Sequence, residues 1–201
     1  MEVKRDNAFQ QAIRCLPPLR ASQLAALEEQ ETAEEVRFRA GRPPAVKTMS
    51  GERELPLPPV SADELREILS RAARYSVHSY TESLKHGFIT LTGGHRLGVC
   101  GTAAVENGQV IGVRGLSSLN VRIARQIRAL EAEVASWIST GRPQSVLLVS
   151  PPGYGKTTLL REWVRQVSGQ GRTVAVADER GEIAALSGGV PQFDIGGCTD
   201  V

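Results

Sequence analysis

The sequence is poor in aromatic residues and nearly balanced in charge. Aromatic side chains make up 4% of its 201 residues, and the formal net charge is +2. Single-stranded nucleic acids are commonly held by stacked aromatic side chains along a basic groove. A near-neutral chain also exerts no strong attraction on nucleic acid or on an anionic membrane surface. Both features argue against a nucleic-acid-binding protein.

Cysteines are few and scattered. Cys15, Cys100 and Cys198 lie far apart and form no CxxC pair. An odd, dispersed set fits a reducing cytoplasm better than a disulfide framework. None of the three histidines stands in an HxxxH or HExxH frame. The spacing of ligand residues therefore predicts no metal site built from histidine and cysteine.

Long apolar runs are missing as well. The N-terminus lacks the apolar core of a signal peptide, and no run approaches the ~18 apolar residues of a membrane span. The apolar fraction of 41% and the charged fraction of 23% are those of an ordinary globular protein. We therefore expect a soluble, cytoplasmic protein.

The first part of the chain mixes the strand and helix periods. Val36 and Phe38 alternate with arginines, which predicts a half-buried strand. "SADELREILSRAARYS" opens with Ser61 as a helix N-cap. "GFITLTGGHRLGVCG" predicts a β-hairpin turning at Gly93-Gly94, and "VENGQVIGV" predicts a second one at Asn107-Gly108. These patterns indicate a mixed α/β domain.

A domain boundary is predicted near residue 141. An apolar helical stripe that includes Leu130 and Trp137 leads into "STGRPQ", which has the composition of a linker. The short β-rich run "SVLLV" follows. We expect an N-terminal mixed α/β domain at residues 1–140 and a second domain over residues 141–201.

The stretch "SPPGYGKTT" has the pattern of a phosphate-binding loop between a buried strand and a helix. Glycines at 153 and 155 permit backbone angles that let successive N–H groups face one phosphate. Lys156 would reach the β- and γ-phosphates, and the Thr157 hydroxyl would ligate Mg²⁺. The candidate nucleotide-binding residues are Pro152, Gly153, Tyr154, Gly155, Lys156, Thr157 and Thr158.

One position departs from the G-x-x-x-x-G-K-[ST] pattern, because Ser150 stands where the first glycine belongs. The alternative interpretation is a glycine-containing turn with an accidental lysine. The order of strand, GKTT and helix favours nucleotide binding, with the positive helix end beneath the anion.

Two acids follow the next predicted strand. Val174 to Ala177 form an apolar run that ends in Asp178 and Glu179. At the carboxyl end of a strand beside a phosphate loop, such acids can ligate a Mg²⁺-bound water or act as the general base. Asp178 and Glu179 are therefore the candidate catalytic residues. The alternative is that Asp178 caps the following turn and that Glu179 pairs with Arg180.

Basic residues recur on the helix after the loop. Arg161 and Arg165 lie four residues apart, and Arg172 is nearby. The pattern is that of either a solvated helix face or a subunit interface.

Several stretches together carry a family resemblance. "VRFRAGRP", "GFITLTGGHRLGVCG", "PPGYGKTTLLRE", "VADERGEIA" and "GVPQFDIGGCTDV" resemble the stage III sporulation protein AA family, which is related to the secretion ATPases of the type II and type IV pilus motors. The resemblance implies an α/β fold in which the N-terminal domain precedes a RecA-like P-loop NTPase domain. It also implies a hexameric motor that uses ATP and Mg²⁺.

The resemblance further implies that arginines of the N-terminal domain contact nucleotide phosphates. Guanidinium groups suit this task because they donate in a planar fork and keep their charge. The candidates lie in family-like stretches and are Arg39, Arg42, Arg96 and Arg122, with Arg37 and Arg125 beside them. The alternative is that these arginines form the solvated face of the strands.

In the family, a further strand with the Walker B acid follows the GVPQ segment, whereas this sequence stops at Val201. The resemblance therefore implies the first two thirds of a motor subunit, either a fragment or a shortened product, with hydrolysis expected of the complete domain. The implied role is to power or assemble a channel during endospore formation, with membrane-embedded sporulation channel proteins as partners at the inner face of the membrane. A non-hydrolysing scaffold and a nucleic-acid-stimulated P-loop ATPase stay open as alternatives.

Overall fold

The structure is a computed structural model that describes residues 8–73, 87–126 and 145–201. It divides into two units, residues 1–124 and 125–201. The domain boundary predicted near residue 141 and the helix predicted around Leu130 both lie outside the described residues. They stay predictions.

The first unit contains a six-stranded antiparallel sheet with the strand order β3-β2-β1-β6-β5-β4. The strands are β1 (Glu35–Arg39), β2 (Ala45–Thr48), β3 (Gly51–Glu54), β4 (Phe88–Thr90), β5 (Arg96–Glu106) and β6 (Gln109–Arg122). The helices are α1 (Ala8–Ala12), α2 (Pro18–Ala25) and α3 (Ala62–Ala73), with 3-10 turns at Ile13–Cys15, Glu28–Glu31 and Thr92–Gly94.

The core of this unit lies between one face of the sheet and the helices. Alternate strand residues such as Phe38, Leu97 and Val121 are fully buried against Phe9 of α1 and Ile68 of α3. Strand side chains alternate between the two faces. The polar residues between the buried ones therefore lie on the opposite face of the sheet.

The first turn of α3 is fixed by two polar contacts. Ser61 Oγ accepts a hydrogen bond from the Glu64 backbone N–H at 3.0 Å, so the predicted N-cap is confirmed. The Glu64 carboxylate pairs with the buried guanidinium of Arg20, at 2.6 Å from Nε and 2.9 Å from Nη2. Arg20 also donates to the Pro58 carbonyl at 3.2 Å. One arginine therefore ties α2, the loop before α3 and α3 together.

Both predicted hairpins are confirmed. β4 and β5 pair with Phe88 opposite Gly98, across the turn at residues 92–94. β5 and β6 are joined at Asn107 and Gly108, whose φ angles are +50° and +76°. Positive φ at both central residues is the requirement of the tight hairpin turn that Asn-Gly favours.

The second unit contains the helix α4 (Lys156–Gly169) and the two-residue parallel strands β7 (Val174–Ala175) and β8 (Thr199–Asp200). Its small core is formed by Val164, Ala184 and Ile195. Together with the first unit, this confirms the mixed α/β class that the sequence predicts. No helix within the described ranges is long and apolar enough to cross a bilayer.

Two strand predictions in this unit need correction. Residues 145–150 form no strand, and Val146, Leu147 and Val149 are 56%, 85% and 82% exposed. The predicted strand from Val174 to Ala177 is limited to two residues, of which Ala175 is exposed. A segment rich in β-forming side chains becomes a strand only where another strand pairs with the backbone of that segment. Within the described part of this unit, β7 and β8 pair with each other and not with residues 145–150.

Candidate functional site

The loop before α4 has the backbone of a phosphate-binding turn. Gly153 and Gly155 have φ angles of +83° and +79°, in the left-handed region that favours glycine. Gly155 is the N-cap of α4 and supplies no side-chain acceptor to the first N–H groups of the helix. Such a helix start presents donors and the positive end of the helix dipole to an anion.

Lys156 folds back over this loop. Its Nζ donates to the carbonyl oxygens of Ser150 and Pro151, at 2.5 and 2.9 Å, and to Ser150 Oγ at 3.2 Å. Ser150 is not among the residues with positive φ, so its backbone tolerates a side chain where the consensus has glycine. The serine hydroxyl therefore adds an acceptor for the lysine that glycine lacks.

Thr157 is the second residue of α4, and its hydroxyl donates to Glu182 Oε2 at 3.3 Å. An open cleft of about 420 Å³ lies at this point of the second unit. Its lining is Val146, Leu148, Lys156, Thr157, Leu160, Trp163, Asp178, Glu179, Arg180, Glu182 and Ile183. The loop lysine, the loop threonine and three carboxylates thus share one cavity.

Asp178 is committed to the backbone of the turn that follows it. Oδ1 accepts the Glu182 N–H at 2.8 Å, and Oδ2 accepts the N–H groups of Ile183 and Ala184 at 3.0 and 2.9 Å. This is the capping geometry given as the alternative for Asp178. The catalytic role of Asp178 and Glu179 stays a prediction.

Arg161 is buried and holds the same turn from the other side. Its Nη2 donates to the Glu182 carbonyl at 2.5 Å and its Nε to the Ile183 carbonyl at 3.1 Å. Burial lowers the pKa of Arg161, while the charges of Asp178 and Glu182 raise it. The predicted basic stripe is therefore wrong for Arg161, which is 8% exposed and faces the 178–184 turn.

The next arginine of that stripe is also paired. Arg165 donates two hydrogen bonds to the Glu162 carboxylate, at 2.9 and 2.5 Å. The two arginines of α4 thus serve different contacts.

The other candidate residues of the loop differ in their exposure to solvent. Tyr154 is 76% exposed, Pro152 is exposed, and Thr158 in the first turn of α4 is half-buried. Their nucleotide contacts stay predictions.

The candidate arginines Arg39, Arg42, Arg96 and Arg122 lie in the first unit, whereas Arg125 begins the second. Arg39 pairs with Glu52 at 2.6 Å, and Arg37 pairs with the same carboxylate. Arg96 has its Cζ 4.7 Å from the centroid of the Phe88 ring. Arg122 lies between Glu35 and Arg96 in the sheet register, and Arg42 follows β1 in the turn. Contacts of these arginines with phosphate stay predictions.

Sequence reasoning missed Glu182. The available signal was its position directly after Gly181, which has a φ of +60°. No pattern of charge or hydrophobicity in the sequence shows that the Glu182 side chain reaches Thr157.

Comparison with known proteins identifies the family of the chain. The model of the family "Sporulation stage III, protein AA" matches residues 10–201. Stage III sporulation protein AA of Bacillus subtilis (strain 168) is 36% identical over 92% of the chain and 62% of its own length. Protein SEEDLING PLASTID DEVELOPMENT 1 of Arabidopsis thaliana is 29% identical over 92% of the chain and 24% of its own length.

Among solved structures, the ATPase DotB of Legionella pneumophila aligns with a TM-score of 0.48 and 16% identity, over 80% of this chain and 46% of its own. The chain thus spans less than two thirds of each of these three relatives. The match of the family model over nearly the whole sequence establishes that the chain belongs to the sporulation stage III protein AA family.

Proposed function

We propose that residues 145–201 bind the phosphates of ATP together with Mg²⁺, and that the complete protein hydrolyses ATP. The observation that carries this proposal is the cleft in which Lys156 and Thr157, at the start of α4, face the acids of the 178–182 turn. A site for a magnesium nucleotide needs hydrogen-bond donors to the phosphates on one side and carboxylates near the cation on the other.

The donors present fit a phosphate group. The positive φ angles of Gly153 and Gly155 shape a turn whose N–H groups can converge on one anion. The ammonium of Lys156 has three N–H donors, and in the structure it bonds backbone carbonyls of its own loop. Phosphate oxygens share the negative charge of their group and are stronger acceptors than a carbonyl. Lys156 can therefore exchange a loop carbonyl for a phosphate oxygen by moving its side chain alone.

The oxygen atoms present also fit Mg²⁺. This cation prefers oxygen ligands, keeps several waters, and is held by one or two protein groups together with phosphates. Thr157 Oγ1 supplies such an oxygen, and the Glu182 carboxylate lies 3.3 Å from it. No group of three or more His, Cys, Asp or Glu residues that could hold a metal occurs in the described part of the chain. A cation that takes its remaining ligands from the nucleotide phosphates is consistent with that finding. When bound, Mg²⁺ would neutralise charge that develops on the transferred phosphoryl group.

At the level of the cell, we assign to the complete protein the role of an ATP-driven subunit in a hexameric motor. That motor would power or assemble a channel during endospore formation, at the inner face of the membrane and through membrane-embedded partners. Membership of a sporulation protein family supports the setting. The hexamer, the channel and hydrolysis belong to the proposal.

A second candidate function is a binding module that holds nucleotide without turning it over. The exposure of Val146, Leu147 and Val149 favours it, because the segment that leads into the phosphate loop has no strand partner within the described residues. Catalysis needs groups held within fractions of an ångström. Phosphate release from ATP in a steady-state assay separates the two functions, since the module would bind and release ATP unchanged.

The test of nucleotide binding is calorimetric titration of the 201-residue chain with a non-hydrolysable ATP analogue and Mg²⁺. Lys156→Ala removes a charged donor worth about 1.5–3 kcal/mol, so affinity should fall roughly 10- to 150-fold. Arg172→Gln removes an exposed cation just after α4 and should leave affinity unchanged. Equal affinity of the Lys156→Ala variant and the parent chain would overturn the proposal.

A further inference from the structure

We propose that Glu182 is the acid that prepares Thr157 for the cation: it accepts the hydroxyl hydrogen of Thr157 and turns a lone pair of that oxygen toward Mg²⁺. The proposal rests on the nucleotide function proposed above. It assigns the cation end of the site to a residue that neither the loop pattern nor the pair Asp178-Glu179 indicates.

The Thr157–Glu182 contact joins a hydroxyl donor to a carboxylate acceptor. A hydroxyl has one hydrogen and two lone pairs, whereas an ionised carboxylate can only accept. At 3.3 Å between Oγ1 and Oε2, the hydrogen belongs to the threonine and points at the glutamate. The lone pairs of Oγ1 therefore point away from Glu182 and are available to a metal. A carboxylate partner of this kind fixes the orientation of a ligand and raises its basicity.

The backbone of Glu182 is held by hydrogen bonds on both sides of the residue. Its N–H donates to Asp178 Oδ1 at 2.8 Å, and its carbonyl accepts from Arg161 Nη2 at 2.5 Å. Arg161 is itself buried, and its Cζ lies 3.9 Å from the centroid of the Phe193 ring. Because both flanking peptide groups are fixed, the Glu182 carboxylate can move relative to Thr157 only by rotation of its own side chain. The site is thereby preorganised.

Two other acids, Asp178 and Glu179, line the same cleft. Asp178 uses both of its oxygens to accept three backbone N–H groups, so its carboxylate is directed into the turn. Asp178 is therefore a positioning residue for Glu182. Glu179 lines the same cleft, whereas the Thr157 hydroxyl donates to Glu182. Of the three carboxylates in the cleft, the one bonded to the proposed metal ligand is Glu182.

The experiment measures cation affinity directly, without turnover. Binding of Mn²⁺ to the full chain with ADP is followed by the loss of the free-ion electron paramagnetic resonance signal, and ADP binding is measured separately in EDTA. For Glu182→Gln, whose neutral amide oxygen is a weaker acceptor than a carboxylate, we expect Mn²⁺ affinity to fall about 10- to 100-fold, the usual effect of altering a partner of a metal ligand. ADP affinity in EDTA should stay at the parent value. Asp200→Asn, which removes an exposed carboxylate in β8, is the charge-matched control and should change neither value.

A double-mutant cycle with Thr157→Val distinguishes this role from a structural one. If Glu182 acts through the hydroxyl, Glu182→Gln should have little further effect on Mn²⁺ affinity once Thr157 is valine. Additive losses would overturn the proposal. So would parent-like Mn²⁺ affinity in Glu182→Gln, or a loss confined to Glu179→Gln.

Thermal unfolding checks that each variant is folded. If Glu182→Gln shows no cooperative transition, Glu182→Asp takes its place. It keeps the charge but withdraws the carboxylate by one methylene, so the same loss of Mn²⁺ affinity is expected, and parent-like affinity would contradict the proposal. A parent chain that binds ADP neither with Mn²⁺ nor in EDTA would overturn the nucleotide function and this inference together. ADP binding with unaltered Mn²⁺ affinity in the variants would overturn the inference alone.

Discussion

The guanidinium of Arg161 stacks on the ring of Phe193, with 3.9 Å between Cζ and the ring centroid. The same guanidinium donates to two carbonyls of the 178–184 turn. An arginine on α4 thereby connects the helix of the phosphate loop with the segment that carries the acids. The planar fork of arginine suits this task because it can serve two carbonyls while one face rests on an aromatic ring.

Replacing Arg161 should destabilise the second unit. Arg161→Gln would leave the carbonyls of Glu182 and Ile183 without their donors and would remove the contact with Phe193. Unsatisfied polar groups cost about 1–3 kcal/mol each, so we expect a loss of about 2–4 kcal/mol in the free energy of unfolding. Urea unfolding of the full chain measures it. Arg172→Gln, at an exposed position, should change the value by less than about 0.5 kcal/mol. An equally small change in the free energy of unfolding for Arg161→Gln would mean that the 178–184 turn is stable without the hydrogen bonds of Arg161.

The sequence predicts most of the first unit because its signals are local. Alternation of Val36 and Phe38 with arginines is enough to place β1, and Asn107-Gly108 is enough to place the second hairpin. The loop glycines and Lys156 are equally local, since their spacing alone defines the turn before α4.

The contacts of Arg161 and Glu182 could not be predicted, because they depend on where a turn 21 or more residues away folds back onto α4. Helical spacing makes Arg161 look like a surface cation, and only tertiary packing buries it. The error at residues 145–150 has a related cause. An apolar β-rich run says that a strand is favourable, but a strand also needs a partner.

Removing the Ser150 hydroxyl should tighten phosphate binding. In the structure Ser150 Oγ accepts a hydrogen bond from Lys156 Nζ at 3.2 Å, so it competes with phosphate for the lysine. One hydrogen bond contributes about 0.5–1.5 kcal/mol, which corresponds to a roughly 2- to 10-fold gain in ADP affinity for Ser150→Ala. Calorimetry provides the measurement, and Ser145→Ala serves as the control at an exposed serine. Weaker binding in Ser150→Ala would show that the hydroxyl stays with the lysine when phosphate is bound.

Gly98 and Asn120 should depend on each other. A β-carbon on Gly98 would overlap Oδ1 of Asn120, whose Nδ2 donates to Glu35 Oε1 at 2.9 Å. We therefore expect Gly98→Ala to lower the stability of the first unit by about 1–3 kcal/mol, the usual effect of overpacking. Combined with Asn120→Ala, the loss should be smaller than the sum of the single losses. Gly112→Ala is the control, since a β-carbon there meets nothing within 4 Å. Simple additivity would show that the sheet relaxes around the new methyl group.

The three cysteines should differ sharply in reactivity. Burial raises the pKa of the Cys15 thiol to about 12, and its Sγ lies 3.5 Å from the Ala12 carbonyl oxygen. Cys100 and Cys198 are exposed. The thiolate is the reactive form.

With a pKa of about 12, roughly one Cys15 thiol in a thousand is ionised at pH 9, whereas an ordinary thiol near 8.5 is mostly ionised. Iodoacetamide at pH 9, followed by mass spectrometry of peptides, should therefore modify Cys100 and Cys198 and spare Cys15. Urea should abolish the difference, because the unfolded chain gives all three thiols an ordinary pKa. Equal modification of Cys15 in the native protein would mean that the helices around α1 open often enough to release it.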